Sequence, residues 1–114
     1  MSSQYIEQGI TDDTSDAHRA LASLQEELEA IDYYGQRADR ASDPELKKVF
    51  LHNRLEEIEH ASMLFEWLRR KHPDFAEKMK TYLFTSGDIT AVEAATKGVG
   101  GPAADCSLGL GKSV

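Results

Sequence analysis

Two apolar-periodic segments of matched length, joined by a few residues, constrain this chain more than any other feature. From about Thr14 to Ala41, the residues Ala17, Leu21, Leu24, Leu28 and Ile31 recur at alternating steps of four and three, the spacing that lines one face of an α-helix. A second segment, predicted from about Asp43 to Lys71, stops before Pro73 and ends in Arg69, Arg70 and Lys71, which suit the negative end of a helix. Each segment has about 28 residues and spans roughly 42 Å at 1.5 Å per residue. Between them, "ASDPEL" places Glu45 three residues after Ser42, which reads as a capping box. Pro44 fits a first turn, because the amide hydrogen it lacks would have no helical partner there. So short a connection folds the second helix back beside the first.

The chain beyond the hairpin is less regular. A shorter third helix is predicted from Pro73 to about Phe84, then a break at Gly87-Asp88 and one or two turns around Ala91 to Ala95. Beyond Ala95, "TKGVGGPAADCSLGLGKSV" has the composition of a flexible linker, but Leu108 and Leu110 in "SLGLG" form a small apolar pair suited to docking on a partner. The expected organisation is a flexible stretch over 1–13, a helical domain over 14–95, and a linker with docking peptide over 96–114.

The fold class is all-α: an antiparallel two-helix hairpin plus a short C-terminal helix. At 114 residues such a chain is short of core, and association with copies of itself is expected. Asp and Glu outnumber Lys and Arg by 20 to 13, and no basic run tracks a phosphate backbone, so nucleic acid is excluded as a partner. The same negative field concentrates cations. Cys106 is the single cysteine, so no intrachain disulfide forms, and a reducing cytoplasm is the expected compartment. Neither a signal peptide nor a membrane-length apolar run is evident.

Chemistry concentrates in "RLEEIEHASM", residues 54–63. Steps of four and three through the second helix place Leu46, Phe50, Asn53, Glu57, His60, Leu64 and Trp67 on one stripe, so ionisable groups interrupt an apolar row. In the first helix, Ala20, Leu24, Glu27, Ile31 and Tyr34 do the same with one Glu. A carboxylate on a packed face needs a cation, a hydrogen-bond network or a route to solvent. Glu57 and His60 can reach one ion, and Glu with Glu-x-x-His is half the ligand inventory of a carboxylate-bridged di-metal site in a four-helix bundle. Two helices are also half of such a bundle, so a twofold pair of chains would complete both. A rival stripe of Val49, Glu56, His60, Met63 and Trp67 leaves Glu56 and Glu57 undecided by periodicity. Glu26, Glu29 and Tyr33 share a face suited to an outer cation site, and Tyr34 is placed to hydrogen-bond a ligand or donate an electron. His18, His52 and His72 have no convergent partners in the sequence. A non-catalytic helical adapter or a redox-silent metal buffer accounts for the same features.

With "EELEAIDYYGQRAD", "DPELKKVFLHNRLEEIEHASM", "EWLRR" and "TYLFTSGDITAVEAA" in order, residues 14–95 resemble the encapsulated ferritins, and "SLGLGKSV" resembles the cargo peptides that load encapsulin shells. The resemblance implies a ferroxidase with a di-iron Fe(2+)/Fe(3+) centre completed in a dimer, dimers assembled into an annular decamer, and iron storage inside an encapsulin nanocompartment in the cytoplasm. By position in the matched motifs it implies Glu27, Glu57 and His60 as iron ligands, Tyr34 as a neighbour, and Glu26 and Glu29 as an outer site through which metal arrives. It favours Glu57 over Glu56. Tyr33-Tyr34 departs from the family's Trp-Tyr, which changes the aromatic side chain at the outer site.

Overall fold

The computed structural model describes residues 6–100, and every regular element among them is helical. Leu108, Leu110 and Cys106 lie outside the described residues. Four helices run in order: α1 Asp12–Arg40, α2 Pro44–Lys71, α3 Pro73–Tyr82 and α4 Ile89–Gly100. They fall into two compact units, divided between Lys71 and His72. No helix among the described residues is long and apolar enough to cross a membrane.

The first unit is the α1–α2 hairpin. Thr11 caps α1 by accepting the Thr14 amide on its hydroxyl at 3.2 Å, so the helix begins at Asp12, a little before the apolar periodicity starts. The cap of α2 differs from the capping box expected at Ser42 and Glu45. Asp43 is the capping residue: its carboxylate accepts the Leu46 amide at 2.8 Å and its carbonyl accepts the Lys47 amide at 3.0 Å. This register puts Pro44 in the first helical position, where its fixed φ costs nothing.

The packed row of α1 also differs from the one its apolar spacing suggests. Of the row Ala17, Leu21, Leu24, Leu28 and Ile31, only Leu24 is buried, and Leu28 is 46% exposed. The row turned inward is the other one, in which Ala20 and Leu24 are buried and Glu27, Ile31 and Tyr34 are half-buried. On α2 the inward stripe carries Phe50, Asn53, Glu57, His60, Leu64 and Trp67, all half-buried, with Ala61 and Leu68 fully covered beside it. The Tyr34 and Phe50 rings meet across the hairpin with centroids 6.0 Å apart. Leu28, Leu46, Val49, Leu55 and Met63 stay on the outside, 45–63% exposed. Apolar residues on several sides of both helices explain why periodicity admits competing stripes.

The second unit begins at His72, whose extended backbone precedes Pro73 as sterics require. Helix α3 ends at Tyr82, two residues earlier than periodicity suggests, because Leu83 turns extended and Phe84 takes φ 64°, a left-handed conformation outside any helix. Asp88 then caps α4: its carboxylate accepts from the Thr90 hydroxyl at 3.0 Å and its carbonyl from the Ala91 amide at 3.0 Å. That cap starts a helix of 12 residues, longer than the one or two turns expected.

The two possible caps of α2 separate in a stability measurement. Asp43→Ala is expected to lower the urea-unfolding free energy by about 1 kcal/mol, and Ser42→Ala to leave it within a few tenths. Equal losses from the two variants would contradict the Asp43 cap.

Candidate metal centre

Glu27 on α1 and Glu57 and His60 on α2 converge at the middle of the hairpin. Each offers one ligand atom, and these atoms lie within 4.8 Å of one another. The His60 Nδ1 stands 3.4 Å from Glu27 Oε1 and 3.4 Å from Glu57 Oε1. A single ion with bonds of about 2.1 Å sets neighbouring ligands about 3 Å apart, so small side-chain adjustments bring all three into one coordination sphere. Among the described residues no other group of His, Cys, Asp and Glu converges in this way.

Local structure explains the convergence. Glu57 and His60 are one turn apart on the same α2 face, while Glu27 projects from the α1 row that packs against it. Ala20, Leu24 and Ala61 surround the packed middle with small or apolar side chains. The side chains of Glu27 and Glu57 are 23% exposed and that of His60 is 43% exposed, so the group opens toward the surface of the hairpin rather than lying sealed within it.

The electrostatics are those of a site prepared for positive charge. Glu27 Oε1 is buried and makes no hydrogen bond. The Glu27 carboxyl is held above the usual range, first by hydrogen bonding to Glu57, which a shared proton permits, and then by burial and the neighbouring negative charge. At His60, burial pulls the imidazole down, but its hydrogen bond to Glu57 and the charges of Glu27 and Glu57 outweigh this and raise it. Both shifts report the negative charge gathered at this point, which a cation would offset.

The remaining sequence candidates are distributed around this group. Glu56 points away, exposed, with its Oε2 3.9 Å from His52 Nε2, a pairing at i, i+4 on the outer face of α2 that attention to inward-facing ligands passes over. Glu26 and Glu29 are exposed and outside the convergent group; Glu29 accepts a hydrogen bond from the Tyr33 hydroxyl at 3.1 Å. The Arg37 guanidinium lies over both aromatic rings, 5.7 Å from Tyr33 and 5.6 Å from Tyr34. The i, i+3 and i, i+4 spacings contain that clamp, but only helix geometry reveals it.

The raised carboxyl and imidazole carry a pH signature. A group whose pKa is higher folded than unfolded contributes stability below its unfolded value and loses it as pH rises through the folded one. Metal-free protein is therefore expected to lose this contribution as pH rises from the ordinary carboxyl value of 4.5 through and above the ordinary imidazole value of 6.5. Glu57→Gln removes the shared proton and one negative charge, so the difference in Tm between wild type and variant should vary with pH over that window. A flat difference would contradict the coupling.

The chain is similar to several known proteins. The family described as EncFtn-like matches residues 3–86. An encapsulated ferritin-like protein of Rhodospirillum rubrum is 51% identical over 112 residues, covering 90% of this chain and 80% of the relative. A ferritin-like protein of Thermotoga maritima is 47% identical over 100 residues, covering 86% of this chain and 88% of its own. A crystal structure of a Nitrosomonas europaea protein is 52% identical and superposes with a TM-score of 0.73, over 76% of this chain and 98% of the other. On the extent of the family match and the identity to these relatives, the chain belongs to the EncFtn-like family, that of the encapsulated ferritin-like proteins.

Proposed function

We propose that this protein is a ferroxidase that takes Fe(II) as substrate at a di-iron centre formed between two subunits and delivers Fe(III) for storage inside an encapsulin shell. The observation that carries the reading is the orphaned, buried Glu27 Oε1, flanked by Glu57 and His60 on a two-helix hairpin. Each subunit offers two carboxylates and one imidazole, too few to saturate two ions. A twofold-related copy doubles the set, with Glu57 and His60 holding iron from each side and the Glu27 pair bridging. The partly open face of the group and the exposed apolar side chains around it favour such pairing.

The chemistry follows from the donor set. Anionic oxygen ligands stabilise Fe(III) over Fe(II), which makes electron transfer to dioxygen downhill. Deprotonated Glu27, Glu57 and His60 bind the ion, and the protons they release leave to solvent through the open face. Tyr34, half-buried in the same row as Glu27, supports the ligands or supplies an electron. Glu26 and Glu29 form the outer acidic site through which Fe(II) approaches, where Tyr33 already engages Glu29. Dimers assemble further into an annular decamer, and Leu108 and Leu110 dock the tail on the encapsulin shell in the cytoplasm.

Oxidation of Fe(II) in air, followed by ferric absorption, tests the central claim. Glu57→Ala and His60→Ala are each expected to slow it by about 10- to 100-fold. Equal rates in wild type and both variants would remove the ferroxidase reading. Tight zinc or manganese in the isolated protein, with no oxidation, would identify a metal buffer instead. Deleting residues 106–114 is expected to abolish loading into the shell while leaving oxidation intact. Loading that survives the deletion would overturn the docking role of the tail.

A further inference from the structure

A second feature of the hairpin lies apart from the carboxylates. Gly35, Ala38 and Asp39 of α1 and Lys47, Leu51 and Arg54 of α2 line an open cavity of about 360 Å³. Lys47 and Arg54 are half-buried there. Among the described residues neither takes part in an ion pair, and neither does Asp39. In a chain with 20 acidic and 13 basic residues, two half-buried cations that line one cavity and form no ion pair keep their donors available to a ligand.

The floor of the cavity includes two small residues of α1, Gly35 and Ala38. Ala38 is 2% exposed and brings no bulk. Gly35 sits mid-helix, where glycine is less favourable than alanine. A Cβ there would lie 3.4 Å from Arg54 Nε and 3.7 Å from its Cδ, which places the arginine within van der Waals reach of α1. The guanidinium is a planar fork of donors matched to oxyanions, and the Lys47 ammonium adds a point charge to the same wall.

We infer that this cavity is a binding site for a protonated tetrahedral oxyanion, inorganic phosphate. Arg54 and Lys47 supply donors and charge. The exposed Asp39 carboxylate accepts hydrogen bonds but cannot donate one. Phosphate near neutral pH keeps a proton to offer Asp39. Sulfate keeps none and meets a bare negative charge instead, so the same carboxylate that engages phosphate rejects its isostere. The volume lies at the small end of ligand pockets, which span about 300–1,000 Å³, and suits a compact hydrated anion. The site is defined without reference to iron, so its success or failure is separate from that of the ferroxidase reading.

Calorimetric titration of the metal-free, full-length protein with inorganic phosphate and with sulfate, at constant ionic strength, tests the proposal. Phosphate is expected to bind at least about tenfold more tightly than sulfate, and the double variant Lys47→Gln, Arg54→Gln to weaken phosphate by about tenfold or more. Asp39→Asn, at an exposed position, is expected to narrow the preference to about two- to threefold by removing the repulsion. Absence of phosphate binding, equal binding of the two anions to wild type, or a preference unchanged by Asp39→Asn would overturn it. Should the double variant fold poorly, the Asp39→Asn ratio decides alone.

Discussion

A carboxylate held on the packed face of a helical hairpin is the constraint around which this structure is arranged. Glu27 stands in the row that begins with the buried Ala20 and Leu24, and one of its oxygens is covered from solvent and meets no hydrogen-bond donor. Leaving such an atom unsatisfied costs about 1–3 kcal/mol, a noticeable part of the stability of a small domain. Glu57 and His60 stand beside it, with His60 Nδ1 3.4 Å from that oxygen, and complete a group of three potential metal ligands. A cation would satisfy all three groups at once.

The same constraint bears on assembly. A hairpin with few buried side chains, and with Leu28, Val49, Leu55 and Met63 exposed, leaves apolar area that a second copy can cover. If that copy also brings the missing ligands, metal binding and association become linked, each stabilising the other by mass action. The family to which the chain belongs is named for ferritin-like proteins, whose bundles place carboxylates and Glu-x-x-His pairs on four facing helices. This hairpin presents two helices, with Glu27 on α1 and the Glu57-x-x-His60 pair on α2.

Much of the fold is legible in the sequence because long amphipathic helices write a strong period. Both helices of the hairpin, their antiparallel return and the stop before Pro73 follow from apolar spacing and proline stereochemistry alone. Finer choices are not legible, for identifiable reasons. Ser42 and Asp43 are equally good capping residues, and only the register that seats Pro44 first selects Asp43. Glu56 and Glu57 lie on stripes that both contain large apolar residues, because α2 is apolar on more than one side; the half-buried Phe50 and Leu64 and the exposed Val49 and Met63 show which stripe packs. The glycine-rich composition after Ala95 hides the continuation of α4, which the Asp88 cap initiates. The Arg54–Gly35 approach has no sequence signal, since a helix-interior glycine reads only as a local penalty.

The hairpin also shows how two opposite electrostatic environments fit on one pair of helices. Arg54 precedes Glu57 by three residues, about 60° round the helix axis. That rotation carries the chain from the face where carboxylates meet His60 to the flank where Arg54 and Lys47 stand together. Residues three apart are near enough to pair, so the side chain of Arg54 needs somewhere else to lie if Glu57 is to remain with Glu27 and His60. Arg54 lies instead beside Gly35 of α1, its Nε 3.4 Å from where a Cβ would stand, while Glu57 keeps His60 Nδ1 at 3.4 Å.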